Sequence, residues 1–296
     1  MTETARRAAV LGHPIGHSKS PLLHRAAYEY LGFHCAYDAL DVPEENAAAF
    51  AAALRDPDPA ERRWAGLSVT MPLKAALLPA MDRLTEMAAA LRVLNTVTFE
   101  YTDAGVVLTG HNTDVAGIVR ALRHAGTRTD PRIAVLGAGG TACAAVAAAG
   151  MLDAAAVDVY ARGFRAAADG TVAVQAAGSR TGTSVALHPW EEAAAACATA
   201  DVVISTLPPR AADPLAESLA AAAVDRTGAV LLDVAYDPWP SRIAQEWSEA
   251  GGRIVPGLEM LLYQAVEQVR LFAGNRFRDE AAVINVMCDA VGAPRR

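Results

Sequence analysis

The chain has 296 residues, of which 53% are hydrophobic and 20% are charged, and its formal net charge is −7. This length allows two domains, because a single core rarely grows beyond roughly 250–300 residues. The acidic balance, without any basic run, argues against a nucleic-acid partner. Four scattered cysteines with no C-x-x-C pair indicate small apolar residues in a reducing compartment, not a disulfide or zinc framework.

The first part of the chain alternates predicted strands and helices. Ser20 is expected to be the N-cap of the first helix, with Pro21 at the first helical position and Gly32 just past the end. The predicted strands are 8–11, 35–40, 64–69 and a hairpin of 96–101 with 106–109. The predicted helices are 20–32, 44–54, a helix after Pro72 and 85–92, with a loop at 56–59.

A second alternation begins after a linker at 126–131. The predicted strands are 133–136, 156–161, 184–187, 202–205, 229–233 and a short 254–255, with helical stretches between them. This is the βαβ rhythm of a parallel sheet. From Gly257 the pattern is helical to the end, with a break at Gly274-Asn275.

One uncharged run, 133–152, has about the length of a membrane span. However, Gly137-Ala138-Gly139-Gly140 interrupts it after four residues, so a buried strand, a tight turn and a buried helix are predicted instead. We expect neither a signal peptide nor a membrane partner.

The glycine turn has the pattern Gly137-x-Gly139-x-x-Ala142 between a predicted strand and a predicted helix, which is the context of a dinucleotide site. Glycines let the backbone approach a pyrophosphate, and the helix N-terminus supplies N–H donors and a positive dipole end. The alternative is a plain helix-packing turn.

The residue near the end of the next strand decides between NAD and NADP. Asp158 has the sequence distance of a ribose-binding acid, but it lies mid-strand. Arg162 follows the strand, with Arg165 nearby, and this favours a 2′-phosphate and NADP. The alternative for Arg162 is a solvated surface charge.

Only two of the 26 basic residues are lysines, Lys19 and Lys74. An ammonium group can transfer a proton where a guanidinium cannot. Reductases polarise the substrate carbonyl with zinc, with a Tyr-x-x-x-Lys pair or with a lone proton donor. The sequence has no cluster of zinc ligands, and no tyrosine stands four residues before either lysine. A lysine therefore remains as the proton donor. Asp114 offers a carboxylate partner at the seam between the two alternating segments.

These residues occur in a series of motifs that resembles the shikimate dehydrogenase family, in the family's order and over almost the whole chain. The motifs are His17-Ser18-Lys19-Ser20-Pro21, Val69-Thr70-Met71-Pro72-Leu73-Lys74, Leu94-Asn95-Thr96, Asn112-Thr113-Asp114, Gly137-Ala138-Gly139-Gly140 and Gly257-Leu258-Glu259-Met260-Leu261-Leu262-Tyr263-Gln264.

The resemblance implies an α/β protein that reduces the ketone of 3-dehydroshikimate with NADPH, in the route to aromatic amino acids. It implies an N-terminal α/β substrate and catalytic domain formed by 1–113 and 257–296. A Rossmann-type doubly wound NADP-binding domain would comprise 114–256, and the C-terminal helices would pack back on the first domain. We expect a cytoplasmic monomer or homodimer with a small-molecule substrate.

The resemblance also implies roles for individual residues, with no metal. Lys74 and Asp114 would form the catalytic pair, and Ser18 and Ser20 would bind the substrate carboxylate. The ring and its hydroxyls would be lined by Thr70, Asn95, Asp114, Tyr236 and Gln264. The cofactor would be bound by Gly137, Ala138, Gly139, Gly140, Thr141, Arg162, Arg165, Thr206 and Gly257.

Simpler structural roles remain as alternatives for several of these residues. Ser20 could serve as a helix cap, and Asn95 could satisfy backbone groups in a turn. Tyr236 could be an aromatic residue of the core, and Gln264 could be a solvated residue on its helix. His13 and His17 are interpreted as structural. Three positions depart from the family pattern: His111 replaces an aspartate, Ala161-Arg162-Gly163 replaces Asn-Arg-Thr, and Thr206-Leu207-Pro208-Pro209 replaces Thr-Ser-Ser-Gly.

Two alternative functions stay open at the level of sequence. One is an NAD-dependent quinate/shikimate dehydrogenase. The other is a non-catalytic Rossmann module that binds a metabolite and regulates a partner, although such a module would be expected to lose Lys74 or Asp114.

Overall fold

The fold is described from a computed structural model that covers residues 6–55, 64–162 and 169–296. The predicted loop at 56–59 and the predicted cofactor residue Arg165 lie outside these residues.

The chain divides into two compact units. The first runs to Thr113 and resumes at Leu262–Arg296, and the second is Asp114–Leu261. The chain therefore leaves the first unit once and returns to it.

The elements are numbered in chain order. The strands are β1 (Arg6–Gly12), β2 (Cys35–Asp41), β3 (Trp64–Val69), β4 (Arg83–Leu84), β5 (Thr96–Thr102), β6 (Gly105–His111), β7 (Arg132–Leu136), β8 (Ala156–Ala161), β9 (Ala186–Pro189), β10 (Val202–Ser205), β11 (Val230–Asp233) and β12 (Arg253–Pro256). The helices are α1 (Ser20–Leu31), α2 (Ala47–Ala53), α3 (Leu73–Ala76), α4 (Glu86–Leu91), α5 (Asp114–His124), α6 (Gly140–Met151), α7 (Asp169–Thr181), α8 (Ala193–Thr199), α9 (Asp213–Ala222), α10 (Arg242–Glu249), α11 (Gly257–Ala273) and α12 (Glu280–Ala290).

The sheet of the first unit has the strand order β2-β1-β3-β5-β6-β4. β1 runs parallel to β2 and β3, and β5 runs antiparallel to β3 and β6. β3 is buried along its whole length, as expected of a central strand. Leu67 of β3 pairs with Val97 of β5 in the apolar core of this unit.

The C-terminal helices belong to the first unit from Leu262 onward. α12 packs against α1. Phe272 of α11 lies directly over Gly66 of β3, where a Cβ would come within 1.9 Å of the phenyl ring. The predicted return of the C-terminal helices to the first part of the chain is therefore confirmed.

The sheet of the second unit has the order β12-β11-β10-β7-β8-β9, with every neighbouring pair parallel. β7 lies between β8 and β10, so the chain winds to one side of β7 and then to the other. This is the topological switch point at which doubly wound sheets bind dinucleotides. The predicted Rossmann-type sheet is confirmed.

The uncharged run at 133–152 forms β7, the glycine turn and α6 of this sheet. α6 is buried from Ala142 to Ala149, which explains its lack of polar residues. Among the described residues, no helix is long and apolar enough to cross a membrane.

Several local predictions differ from the structure. Lys19, not Ser20, occupies the N-cap position of α1, and Ser20 is the first helical residue. The Ser20 N–H instead donates to Ser18 Oγ at 3.3 Å. The predicted helix 44–54 is a 3₁₀ turn, Glu44–Asn46, followed by α2.

Two further differences concern the second half of the chain. β9 begins at Ala186, two residues later than predicted, and ends at Pro189. α5 was not predicted, although Val115, Ile118, Val119 and Leu122 form its buried stripe with the spacing of a helix.

Candidate active site

The predicted substrate residues of the first unit follow strand ends that meet at one edge of its sheet. Ser18 follows β1, and Thr70 and Lys74 follow β3, which is parallel to β1. Asn95 directly precedes β5, which is antiparallel to β3. The carboxyl ends of β1 and β3 and the amino end of β5 therefore lie at the same edge, where α/β sheets commonly bind ligands.

A buried polar cluster at this edge contains Asn95, Thr113 and Gln264. Asn95 Nδ2 donates to Thr113 Oγ1 at 2.9 Å and to Gln264 Oε1 at 3.2 Å. Asn95 Oδ1 accepts the Thr113 N–H at 2.8 Å. Because the amide nitrogen meets acceptors and the amide oxygen meets a backbone donor, the cluster fixes the orientation of the Asn95 side chain.

Backbone hydrogen bonds hold Asn95 next to α3. The Val69 N–H donates to the Asn95 carbonyl at 2.7 Å, and the Asn95 N–H donates to the His111 carbonyl at 3.0 Å. The Leu94 N–H donates to the Lys74 carbonyl at 3.0 Å. The half-buried Lys74 is thus tied to the segment that carries Asn95.

Thr70 lies where β3 turns into α3. Its N–H donates to the Leu11 carbonyl at 2.8 Å, and its carbonyl accepts the Leu73 N–H at 2.9 Å. A Cβ at Gly12 would lie 2.4 Å from Thr70 Cγ2, so a side chain there would displace Thr70.

The two serines lie at the start of α1. Ser18 is half-buried, and Ser20 is 4% exposed. The Ser20 side chain is a polar neighbour of the Tyr37 hydroxyl, and burial raises the pKa of Tyr37 well above its usual range. Tyr37 therefore remains a neutral hydroxyl, which can donate a hydrogen bond.

Asp114 and Tyr236 belong to the second unit. Asp114 is 3% exposed and begins α5, where a carboxylate is favoured by the helix dipole. Tyr236 is half-buried and follows β11. Asp233 Oδ2 accepts a hydrogen bond from the Ser241 hydroxyl at 2.5 Å, which joins the two ends of the loop that carries Tyr236. Burial raises the pKa of Asp233.

The glycine turn joins β7 to α6. Gly137 has φ +108°, and a Cβ there would lie 2.6 Å from Thr206 Oγ1. A Cβ at Gly139 would meet no atom within 4 Å. Open space above Gly139 and the first N–H groups of α6, from Gly140 and Thr141, fit the pyrophosphate of a dinucleotide.

Two other predicted cofactor residues lie at strand ends of the same sheet. Thr206 Oγ1 donates to the Leu136 carbonyl at 2.8 Å, immediately before Gly137. A Cβ at Gly257 would lie 2.1 Å from the Val234 carbonyl oxygen, so glycine permits the close approach of α11 to the end of β11.

The candidates for the ribose 2′ position differ in their surroundings. Arg162 is exposed and directly follows β8. Asp158 lies in the middle of β8, and its Oδ1 is 2.9 Å from His188 Nε2.

The described part of the chain contains no group of three or more His, Cys, Asp or Glu side chains that could hold a metal ion. His13 Nδ1 lies 2.9 Å from Asp41 Oδ2, and the Ile15 N–H donates to the other carboxylate oxygen at 3.1 Å. These contacts support the structural interpretation of His13.

Comparison with known proteins identifies the family. Residues 10–97 match the shikimate dehydrogenase substrate binding domain. The shikimate dehydrogenase (NADP(+)) of Methanothermobacter thermautotrophicus is 32% identical over 286 residues, which are 95% of this chain and 94% of that protein. The corresponding protein of Oleidesulfovibrio alaskensis is 36% identical over 272 residues, 90% of this chain and 88% of that one. This chain belongs to the shikimate dehydrogenase family.

Solved structures of shikimate dehydrogenases share the fold over nearly the full chain. The Mycobacterium tuberculosis enzyme is 35% identical with a TM-score of 0.78, covering 97% of this chain and 99% of that one. The Thermus thermophilus enzyme, in complex with NADP(H) and shikimate, is 28% identical with a TM-score of 0.75, covering 96% and 99%. The family resemblance and the α/β fold predicted from the motifs are confirmed.

Sequence reasoning missed two buried polar residues of this shikimate dehydrogenase family member. Thr113 was noted only as part of the Asn112-Thr113-Asp114 motif, although it bonds both Asn95 and Gln264. Gln268 was not singled out. Its spacing of four residues from Gln264 places both amides on one face of α11, and this was a usable signal.

Proposed function

We propose that this chain is an NADP-dependent shikimate dehydrogenase, which reversibly reduces 3-dehydroshikimate to shikimate in aromatic amino acid biosynthesis. The observation that carries the proposal is the buried cluster of Asn95, Thr113 and Gln264, in a chain that matches shikimate dehydrogenases (NADP(+)) over 90% or more of its length. Amide and hydroxyl groups held in fixed orientations suit the recognition of ring hydroxyls.

In this proposal the first unit supplies most of the substrate-binding residues, and Tyr236 comes from the second unit. Ser18 and Ser20 hold the carboxylate, because hydroxyl groups donate to it without adding a charge. Thr70, Asn95, Tyr236 and Gln264 bind the ring and its hydroxyls. The substrate and catalytic domain comprises 1–113 and 257–296, and the cofactor domain comprises 114–256.

Lys74 is the proposed proton donor to the ketone oxygen. As that oxygen gains negative charge during reduction, the ammonium group supplies the proton and becomes neutral. Asp114 is the proposed partner that favours the charged lysine and accepts a hydrogen bond from a substrate hydroxyl. In the reverse direction Lys74 takes the proton from shikimate.

The turn from Gly137 through Ala138, Gly139 and Gly140 to Thr141 is the proposed pyrophosphate site. Arg162 and Arg165 are the proposed partners of the 2′-phosphate, with Thr206 and Gly257 supporting the turn and the neighbouring strand end. When bound, NADPH supplies the hydride. The free cysteines suit a reducing compartment, and we propose a cytoplasmic monomer or homodimer.

A steady-state assay of the purified chain with shikimate and quinate, each against NADP and NAD, tests the proposal. We expect the highest kcat/KM for shikimate with NADP. A preference for quinate with NAD would favour the alternative dehydrogenase. Absence of turnover together with retained shikimate binding in calorimetry would favour a non-catalytic module.

A further inference from the structure

Gln268 lies at the centre of a buried hydrogen-bond network in the first unit. It is 1% exposed. Its Oε1 accepts from Ser68 Oγ at 2.7 Å and from His24 Nε2 at 3.2 Å. Its Nε2 donates to the Asn95 carbonyl at 3.1 Å and to Thr96 Oγ1 at 2.9 Å. A glutamine amide has two donors and two acceptor positions, so this side chain is fully used.

One arm of the network reaches Asn95 twice. Gln268 contacts the Asn95 carbonyl directly, and Thr96 passes a hydrogen bond from its Oγ1 to Asn95 Oδ1 at 2.9 Å. Gln264 lies one helical turn before Gln268 on α11 and contacts Asn95 Nδ2. Gln268 therefore fixes the main chain of Asn95 and one of the partners of its side-chain oxygen.

The other arm reaches Ser20. Ser68 has one hydroxyl proton, and it donates this proton in the hydrogen bond to Gln268 Oε1, because a carbonyl oxygen can only accept. Tyr37 must therefore donate to Ser68, from which it lies 2.6 Å away. The side chain of Ser20 is a further polar neighbour of the Tyr37 hydroxyl. One glutamine thus joins the residue proposed for the carboxylate to those proposed for the ring hydroxyls.

His24 supports this network through its contacts with Gln268 and Tyr37. Because Gln268 Oε1 only accepts, His24 Nε2 carries a proton, and Nδ1 accepts the Tyr28 hydroxyl at 3.1 Å. The ring stacks on Tyr37 with 4.1 Å between centroids. Burial lowers the pKa of His24 to about 3, so the network carries no charge at neutral pH.

We propose that Gln268 is a positioning residue of the substrate site, which sets the orientation of Asn95 and Gln264 and, through Ser68 and Tyr37, that of Ser20. Gln268 is buried behind these residues and acts through them. This inference rests on the proposed function, since it assigns Asn95, Gln264 and Ser20 to substrate binding.

The test compares Gln268→Met, which keeps the length of the side chain but removes its hydrogen bonds, with Gln245→Met. Gln245 is exposed on α10 and contacts Glu249 of the same helix. We expect Gln268→Met to raise KM for shikimate about 2- to 10-fold, the equivalent of one net hydrogen bond, and to leave KM for NADP unchanged. Gln245→Met should change neither constant.

Thr96→Val keeps the test decisive if Gln268→Met folds poorly. Valine has nearly the shape of threonine and removes only the hydroxyl between Gln268 and Asn95. We expect a rise in KM for shikimate, and the double variant should show less than the product of the two single effects, because both act through Asn95.

The two levels of inference fail differently. If wild type oxidises shikimate while both variants lose thermal stability but keep KM for shikimate within twofold, Gln268 is structural and this inference is wrong. If wild type does not turn over or bind shikimate, the proposed function is wrong and the role of Gln268 falls with it.

Discussion

At the scale of single residues, the two lysines occupy very different positions. Lys74 is half-buried on α3, and its carbonyl accepts the Leu94 N–H next to Asn95. Lys19 is exposed and occupies the N-cap position of α1 without a side-chain capping hydrogen bond. A proton donor needs a fixed position relative to its substrate, so the surroundings favour Lys74.

Replacing Lys74 with methionine keeps the length of the side chain and removes the transferable proton. We expect Lys74→Met to lower kcat by about 10²–10⁴-fold, the usual contribution of a positioned acid–base group. Shikimate should still bind, as measured by calorimetry. Lys19→Met is the control and should change kcat little, whereas normal turnover by Lys74→Met would exclude it as the donor.

The proposed cofactor preference concerns a second pair of residues. Asp158 lies in the middle of β8 beside His188, whereas Arg162 is exposed directly after the strand. In this arrangement the arginine is the better partner for a 2′-phosphate. Sequence distance alone favoured Asp158, and the length of the strand reverses that preference.

Removing Arg162 should therefore affect one cofactor only. A hydrogen bond to a charged group contributes about 1.5–3 kcal/mol, or about 10- to 100-fold in affinity. We expect Arg162→Ala to raise KM for NADPH by that factor and to leave KM for NADH unchanged. Arg83→Ala, at an exposed arginine paired with Glu100 in the first unit, is the control. A wild-type preference for NADH would contradict the assignment.

At the scale of elements, two glycines of the β7–α6 turn have different tasks. Gly137 needs its positive φ and its closeness to Thr206 for the turn to form. Gly139 has ordinary extended dihedrals, with open space where a side chain would lie. The fold thus requires the first glycine, whereas the second would be required only by the proposed cofactor site.

This difference gives a paired test. Gly137→Ala should lower the melting temperature by several degrees, since a strained backbone costs about 1–3 kcal/mol, and should also weaken NADPH binding. Gly139→Ala should keep the melting temperature and weaken NADPH binding, because its methyl group occupies the proposed pyrophosphate site. Unchanged NADPH binding by Gly139→Ala, measured by fluorescence titration, would place the cofactor elsewhere.

Elements with a strong pattern were predictable from sequence, and those defined by tertiary contacts were not. β8 has the predicted bounds because a buried run ends at a charged residue. β4 has two residues and forms only through its pairing with β6, so it has no local pattern. The motif residues Asn95 and Gln264 were identified from sequence, but their shared partner Thr113 was not. Thr113 and Gln264 are 151 residues apart, and only the fold brings them together.

At the scale of the whole molecule, buried histidines should make stability depend on pH. The pKa of His24 is about 3 in the folded chain, against about 6.5 when unfolded. Below pH 6.5 the unfolded chain binds a proton that the folded chain excludes, so stability falls as pH decreases. Burial lowers the pKa of His111 in the same direction, whereas the raised pKa of Asp233 opposes it.

A non-titrating variant isolates the contribution of His24. We expect the free energy of unfolding of wild type to fall from pH 6.5 to 4.5, with at most about 1.4 kcal/mol per pH unit from this residue. His24→Gln should be less stable at pH 7 but have a shallower slope, measured by urea denaturation. His34→Gln, at an exposed histidine, should keep the wild-type slope, and equal slopes for His24→Gln would rule out the linkage.

The division of the chain has a consequence for synthesis. The second unit is one uninterrupted stretch, Asp114–Leu261, and can fold on the ribosome as soon as it emerges. The first unit must wait for α11 and α12, although its strands are translated first. Until then β3 lacks Phe272 over Gly66, and the nascent chain exposes an unfinished core to chaperones. A stop codon placed before α11 would therefore disable the part of the protein that is translated first.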